Sequence, residues 1–200
     1  MRQLSMADAD QAAEVLARAF AYDPLWLYLF PDLKQRVLVL RQSFRATVRL
    51  YAHNQQLYAV GDPLEGVAIW RAPQQQTRGL SPLLNASFLT LLFSPLVRAF
   101  GRTIPIFAQF DRMHKRYAPE PHYYLSTIGV VREAQGKGRA SHLIKPILAQ
   151  ADAQSLSVYT ETMTPSNVPL YGHYGFACKE QYRVPGTDLS IWALCRAAGR

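Results

Sequence analysis

Cysteine is scarce in this 200-residue chain, which contains only Cys178 and Cys195. The two residues form no CxxC pair and have no histidines at ligand spacing, which argues against a cysteine metal site. Small disulfide-stabilised scaffolds are rich in cysteine, so this composition also argues against a disulfide. The sequence predicts two free, buried thiols and no metal.

Targeting signals and uninterrupted apolar runs are also missing. The first residues, MRQLSMADAD, do not combine a basic region with an apolar stretch, so neither a signal peptide nor a transit peptide is indicated and a cytoplasmic location is expected. The apolar run over residues 25–30 is shorter than the roughly 20 residues that span a bilayer. Residues 80–100 are also apolar, but packed helices are expected because polar residues and prolines interrupt them, namely Pro82, Asn85, Ser87, Thr90 and Pro95.

Acidic residues are outnumbered by basic ones, 14 against 22, which gives a formal net charge of +8. An excess of this kind is compatible with nucleic acid, an acidic membrane surface or an anionic cofactor as partner. The arginines are scattered, and Arg41, Arg45 and Arg49 at four-residue spacing indicate a solvated helix face. A nucleic-acid module is retained as an alternative, which would show salt-sensitive binding without turnover. With 49% hydrophobic residues, we expect one globular domain over residues 1–200.

The most informative stretch runs from Tyr123 to Ser141 and reads as a strand, a glycine turn and a helix. An aromatic and β-branched run ends near Val131, the turn is Gln-Gly-Lys-Gly, and a helical apolar stripe begins at Ala140. The first N–H groups of a helix lack intrahelical partners and bind anions, and glycines let a phosphate approach them. With Lys137 and Arg139 adding charge, the turn suits a pyrophosphate. Neither the Rossmann fingerprint nor the P-loop pattern is present.

Two motifs in this region carry a family resemblance. The segment Gln135-Gly136-Lys137-Gly138-Arg139-Ala140 resembles the Gln/Arg-x-x-Gly-x-Gly/Ala signature of the GNAT superfamily of N-acetyltransferases, which binds the pyrophosphate of acetyl-CoA. Downstream, Asn167-Val168-Pro169-Leu170-Tyr171 followed by Gly175-Phe176 resembles the Asn…Tyr…Gly-Phe block of that superfamily. The resemblance covers roughly residues 120–195, and the sequence around the two motifs is similar to that of the puromycin N-acetyltransferase branch.

The resemblance implies an α/β fold of the GNAT type, with a mixed, mostly antiparallel central sheet flanked by helices. It also implies acetyl-CoA as co-substrate, no metal, and a small primary amine as acceptor. A protein or peptide N-acetyltransferase and a non-catalytic acyl-CoA-binding regulator are the alternatives. The residues expected to bind acetyl-CoA are Ile128, Gly129, Val130, Gln135, Gly136, Lys137, Gly138, Arg139, Ala140, Ser141 and Asn167.

Two residues are candidates for catalysis. Tyr171 matches the family's tyrosine, and its ordinary pKa near 10 lets it protonate a departing thiolate without ionising itself at neutral pH. Glu161, on the strand before the second motif, is the candidate to take the proton of the acceptor amine, the alternative being a purely structural glutamate. Bulk water or a residue such as Asp23, Tyr51 or His53 would otherwise take that proton. The acceptor pocket is expected from residues 22–32 and 73–117.

The rest of the chain predicts further helices and strands. Asp8 and Gln11 predict a capping box before a helix that ends near residue 20, and another helix is expected over residues 33–52. Residues 56–60 and 65–70 predict a hairpin, residues 105–116 a short helix, and residues 176–184 and 189–194 the closing strands. Pro146 is expected to kink the helix that follows the glycine turn.

Overall fold

The computed structural model describes residues 1–53, 56–75 and 97–199, in which strands and helices alternate along most of the chain. The strands are β1 (Arg2–Gln3), β2 (Leu57–Val60), β3 (Gly66–Arg71), β4 (His122–Val130), β5 (Ser157–Thr162), β6 (Ala177–Arg183) and β7 (Ser190–Arg196). The helices are α1 (Ala9–Ala19), α2 (Pro24–Leu29), α3 (Leu33–His53), α4 (Val97–Tyr117), α5 (Arg139–Ala153) and α6 (Asn167–Gly172). Short 3₁₀ turns occur at Met6–Asp8, Pro73–Gln75 and Arg132–Ala134.

The strands form one seven-stranded sheet in the order β1-β2-β3-β4-β5-β7-β6. Strands β4 and β5 are parallel, and each of the other described pairs is antiparallel. The helix α5 provides the crossover that a parallel pair requires. The predicted mixed, mostly antiparallel sheet flanked by helices is therefore confirmed.

Three clusters of buried side chains attach the helices to the two faces of the sheet. Helices α1 and α3 pack together over β2 and β3, where Leu16 and Leu40 are fully buried. Helices α2 and α4 cover β5 and β7 on the same face, where Tyr159 is buried. On the other face, α5 and α6 pack over the central strands, with Leu143 at 0% exposure. The sheet is thus enclosed between two helical layers, which is the usual way to bury both of its faces.

A β-bulge interrupts the centre of the sheet. Across β3 and β4, Ile69 pairs with Thr127 and Trp70 pairs with Leu125, so Ser126 has no counterpart on β3. A bulge bends its strand and increases the local twist. The described ladder between β4 and β5 ends at the same place, at Leu125 and Thr160, although β4 continues to Val130. The two central strands therefore separate beyond the bulge.

Two predictions about local structure were wrong in detail. The capping box lies three residues earlier than expected, because Ser5 is the cap and accepts from Ala7 N, while Asp8 accepts from Ser5 N. Because the Asp8 carboxylate accepts from the amide of Ser5, three residues earlier, it makes no side-chain hydrogen bond as the cap of α1. Cys178 is exposed and Cys195 is half-buried, and both are free thiols.

Other local predictions agree with the structure or lie outside the part that it describes. Arg41, Arg45 and Arg49 do form an exposed face of α3, paired with Glu14 and Asp10 of α1. The helix expected over residues 105–116 is longer and begins at Val97. Most of the apolar stretch 80–100 lies outside the described residues. Over residues 1–53, 56–75 and 97–199, the helices are either too short or too polar to cross a bilayer.

Candidate active site

A cleft of about 800 Å³ opens where β4 and β5 separate. Residues Ser126 to Ile128, which have left the ladder with β5, form one side of it. Thr160, at the last position of β5 that pairs with β4, donates from its hydroxyl to Leu125 O at 2.9 Å and holds the two strands together just before they diverge. The free edge of β4 leaves backbone N–H and C=O groups without a strand partner, so an extended polar ligand can pair with them.

The glycine turn before α5 has the geometry of an anion site. Gly136 and Gly138 both have φ of +74°, and Gly138 is the N-cap of the helix. Glycine adopts this left-handed conformation without steric cost, which other L residues do not. A Cβ added at either glycine would meet no described heavy atom within 4 Å, so the turn faces open space. The amides of Arg139, Ala140 and Ser141 in the first turn of α5 are therefore available to a phosphate.

The charged side chains near this turn differ from what was expected. The guanidinium of Arg139 forms an ion pair with Glu65, so its charge is already compensated within the protein. Arg139 can therefore serve an anion through its backbone amide, and the expectation that its side chain adds free positive charge was wrong. Lys137 is exposed at the turn. Gln135 supports the turn from the side, because its Nε2 donates to Val130 O at 3.1 Å.

The three residues expected to bind acetyl-CoA on β4 have different surroundings. Ile128 lines the cleft. Gly129 lies under α1, where an added Cβ would come within 2.8 Å of the Cβ of Ala19, so helix packing already requires this glycine. Val130 has its carbonyl bonded to Gln135.

The second motif places Asn167 and Tyr171 on α6 against the cleft. Asn167 donates from Nδ2 to the Thr162 hydroxyl at 3.2 Å, which ties the helix to the end of β5. Tyr171 is only 4% exposed and packs edge to face on Phe176, with 5.5 Å between ring centroids. Burial raises the pKa of Tyr171 above its ordinary value, although the Thr160 hydroxyl opposes this. The phenol therefore keeps its proton at neutral pH and can donate it.

Glu161 lies on the face of β5 that α4 covers. Tyr124 and Tyr159 are direct neighbours in the β4–β5 ladder, and Glu161 follows Tyr159 by two residues on the same face. The Glu161 Oε1 atom is buried and has no hydrogen-bond partner among the described residues. Burial raises the pKa of this carboxyl to about 8, against the opposing effects of the Tyr124 and Tyr159 hydroxyls and of Arg71. A buried acceptor atom without a partner is uncommon and is typical of a functional site.

A pair of histidines at the far end of the cleft was not anticipated. Their Nε2 atoms, on His114 of α4 and His122 of β4, are 2.7 Å apart. The Nδ1 atom of His122 lies 2.7 Å from Glu120 O, and because a carbonyl only accepts, this nitrogen carries a proton. In a neutral pair, His122 Nε2 therefore accepts from the N–H of His114. Burial is the main cause that lowers the pKa of His114 to about 3 and lowers the pKa of His122, so both rings are neutral at physiological pH.

Sequence reasoning also missed Arg71 and Tyr124, which line the same end of the cleft. The Arg71 guanidinium lies 5.6 Å from the centroid of the Tyr124 ring. The tyrosine was visible in the predicted strand, but only the register of β4 against β5 places it beside Tyr159. No sequence signal singled out Arg71, which is at the end of β3.

The alternative proton acceptors are placed as follows. Asp23 lines the cleft and caps α2, accepting from Leu25 N at 3.0 Å and from the Thr164 hydroxyl at 3.3 Å. Tyr51 also lines the cleft. The side chain of His53 lies outside the described residues. Because Asp23 already accepts two hydrogen bonds, Glu161 has the more available oxygen.

Comparison with known proteins agrees with this geometry. Residues 106–176 match the family model described as "Acetyltransferase (GNAT) family". An uncharacterized N-acetyltransferase of Schizosaccharomyces pombe is 25% identical over 185 residues, covering 90% of this chain and 74% of that protein.

Solved structures share the fold over nearly the whole chain. A histone acetyltransferase HPA2 and related acetyltransferase from Corynebacterium glutamicum gives a TM-score of 0.65 at 22% identity, covering 100% of this chain and 96% of the other. A mosquito arylalkylamine N-acetyltransferase-like protein gives a TM-score of 0.65 at 16% identity, covering 98% of each chain.

The separated strands, the glycine turn at a helix N-terminus and the sheet order together match the fold of GNAT acetyltransferases. The family match over residues 106–176 and the fold shared with solved acetyltransferases both agree with this arrangement.

Proposed function

We propose that this protein transfers the acetyl group of acetyl-CoA to the primary amine of a small molecule by direct attack on the thioester. The observation that carries the proposal is the convergence of Glu161, Tyr171 and the free edge of β4 on one cleft. Acetyl-CoA supplies the activated acyl group: a bond forms between the amine nitrogen and the carbonyl carbon, and the bond from that carbon to sulfur breaks.

The chain has a surface suited to each part of acetyl-CoA. The amides at the start of α5 and the turn at Gly136 and Gly138 suit the pyrophosphate. The unpaired edge of β4 suits the pantetheine amides, because its backbone groups lack partners on β5 beyond Leu125. Asn167 lies at the end of this path, beside Tyr171. The turn and the edge are consecutive in the chain, which favours one continuous binding track.

The acceptor amine must lose a proton before it attacks. A lysine-like ammonium has a pKa near 10.4, so only about one part in a thousand is neutral at pH 7. Glu161 takes this proton, directly or through a water, because its Oε1 has no partner and its pKa of about 8 is raised from the usual carboxyl range toward that of an amine. On the other side of the bond being broken, Tyr171 gives its proton to the departing thiolate.

Two observations favour a small acceptor over a protein. The cleft passes beneath α2 and α4, and buried rings such as Phe44 and Tyr51 form its walls. A neighbour in fold is named as arylalkylamine N-acetyltransferase-like, although another is named as related to a histone acetyltransferase. A peptide acceptor is the alternative. A non-catalytic acyl-CoA sensor is a further alternative, but such a protein would have no need for the available oxygen of Glu161 or the protonated Tyr171.

The deciding experiment is a thiol-release assay with acetyl-CoA against primary amines, polyamines, aminonucleosides and peptides. Release of CoA with at least one small amine, together with an N-acetylated product of the expected mass, supports the proposal. Turnover with peptides alone favours the protein acetyltransferase. Tight CoA binding without release from any acceptor favours the sensor.

A further inference from the structure

The end of the cleft beyond Glu161 is walled by aromatic rings that come from separate helices and strands. Trp26 of α2 and Phe44 of α3 approach each other with ring centroids 6.3 Å apart. Across the cleft, His114 of α4 lies 4.4 Å from Tyr124 of β4, again between centroids. Phe110, one turn before His114 on the same helix, also lines this end.

Charged residues also line the cleft, but Asp111 and Lys115 of α4 neutralise each other in an ion pair of 2.6 Å. The histidine pair is neutral, because the hydrogen bond of His122 to Glu120 O fixes its proton and the two rings share one N–H between their Nε2 atoms. The imidazole of His114 stacks on Tyr159 at 4.7 Å and so behaves as one more aromatic surface. The guanidinium of Arg71 lies over one face of Tyr124 and is itself buried, at 9% exposure.

Among the carboxyl groups that line the cleft, Glu161 has a buried oxygen without a hydrogen-bond partner in the described part of the chain. Asp23, at the other side, is already engaged as the cap of α2. A carboxyl with a buried, unpaired oxygen beneath aromatic walls suits a molecule with an amino group and a flat apolar body. The carboxyl receives the nitrogen through a charge-assisted bond, while the rings hold the body by edge and face contacts and attract the cationic end.

We propose that the acceptor is an aromatic primary amine, whose ring is held by Trp26, Phe110 and Tyr124 and whose nitrogen meets Glu161. This inference rests on the proposed function and narrows its substrate class. A saturated ring of the same size fills the same space but lacks the π system, and a linear alkyl chain lacks the flat shape as well. The enzyme should therefore distinguish amines that differ only in the aromaticity of the body.

The test compares 2-phenylethylamine with 2-cyclohexylethylamine, which share the linker and the amino group. We expect kcat/KM to be about ten-fold or more higher for the aromatic amine, consistent with the usual strength of ring contacts in a desolvated site. Replacing a wall ring, in Trp26→Leu or Phe110→Leu, should reduce this preference to within about three-fold. Tyr182→Leu, which removes a half-buried ring outside the cleft, should leave the preference intact.

Binding measured by calorimetry on the CoA-loaded protein separates this inference from the proposed function. Tighter binding of 2-phenylethylamine than of 2-cyclohexylethylamine supports the aromatic acceptor even if no acetyl group is transferred. Equal binding of the two amines, or an equal preference in the wall variants and the unchanged protein, overturns it. Efficient turnover of aliphatic amines without any aromatic preference would also overturn it while leaving the acetyltransferase activity in place.

Discussion

At the scale of single residues, the cleft contains one proton donor and one proton acceptor whose pKa values are both raised by burial. Tyr171 stays protonated at neutral pH, as a donor to a thiolate must. Glu161, with a pKa of about 8, is poised to exchange a proton near neutrality. Both residues were expected from the sequence, but their raised pKa values are caused by burial, which arises only when the helices pack on the sheet.

Tyr171→Phe should lower kcat by about 10²-fold or more, because it removes the donated proton and keeps the ring that packs on Phe176. Binding of acetyl-CoA, measured by calorimetry, should change little. Tyr174→Phe is the matched control, since Tyr174 is a half-buried tyrosine in the same segment, and it should retain activity. If Tyr171→Phe turned over at the normal rate and Tyr174→Phe did not, the donor would be Tyr174.

Glu161→Gln should remove the acidic limb of the pH profile of kcat/KM that arises from the titration of this carboxyl. The carboxylate is the active form, so the activity of the unchanged enzyme should rise as pH increases through about 8, whereas the variant should keep only the limb of the amine itself. The groups that face Glu161 and could shift this limb are Arg71, Tyr124, Tyr159, Tyr171 and Cys195.

The measurement is a pH profile for two amines of different pKa, because the limb of Glu161 must stay in place when the amine changes. A variant whose profile matches that of the unchanged enzyme for both amines would leave Glu161 with a structural role only. Asp23→Asn, measured in parallel, tests the carboxyl that caps α2.

At the scale of the elements, the glycine turn and the β-bulge generate the binding surface together. The bulge at Ser126 bends β4 away from β5, and the turn at the end of the same strand aims the first amides of α5 outward. The turn was readable from the sequence, because a strand, two glycines and an amphipathic helix follow one another in that order. The bulge was not, since it exists only as a mismatch between two strands.

Gly138→Asp should weaken CoA binding by at least ten-fold. The substitution forces an L residue to a φ of +74° and puts a carboxylate at a helix N-terminus that is proposed to hold phosphate. Gly186→Asp is the matched control, because Gly186 has a φ of +71°, an equally open environment and a position in the β6–β7 turn. Calorimetry with CoA checks both variants, and unchanged affinity in Gly138→Asp would remove the turn from the pyrophosphate site.

At the scale of the whole molecule, the neutral histidine pair links folding to pH. In the unfolded chain a histidine binds a proton near pH 6.5, but in the folded protein His114 does so only near pH 3, and the pKa of His122 is also lowered. The unfolded state therefore binds more protons between these values. The contribution of this pair to stability is complete above about pH 6.5 and is lost as pH falls toward 3.

His114→Gln should therefore flatten the acid side of the stability curve. Relative to the unchanged protein, the free energy of unfolding of the variant should be lower at pH 7.5, and the difference should shrink steadily at pH 6, 5 and 4. Urea unfolding at these four values measures the effect, and His142→Gln, at an exposed position on α5, is the control. A difference that stays constant with pH would show that the pKa of His114 is the same in the folded and unfolded states.

The sequence by itself determined the strand, turn and helix around Gly136 and Gly138, the position of Tyr171, and the α/β character of the chain. These features depend on local spacing: apolar periodicity, glycine at a left-handed position and two short motifs in order. The single domain over residues 1–200, the cytoplasmic location and the puromycin branch stay predictions.

Only the tertiary structure decided the features that depend on strand register. The pairing of Tyr124 with Tyr159 places Glu161 on the face covered by α4, and the end of that ladder at Leu125 and Thr160 opens the cleft. The histidine pair forms because the chain turns back between the end of α4 and the start of β4, and Arg139 meets Glu65 across a gap of 74 positions in sequence number. Contacts of this kind arise because distant segments pack against one sheet, and local spacing carries no record of which residues will meet there.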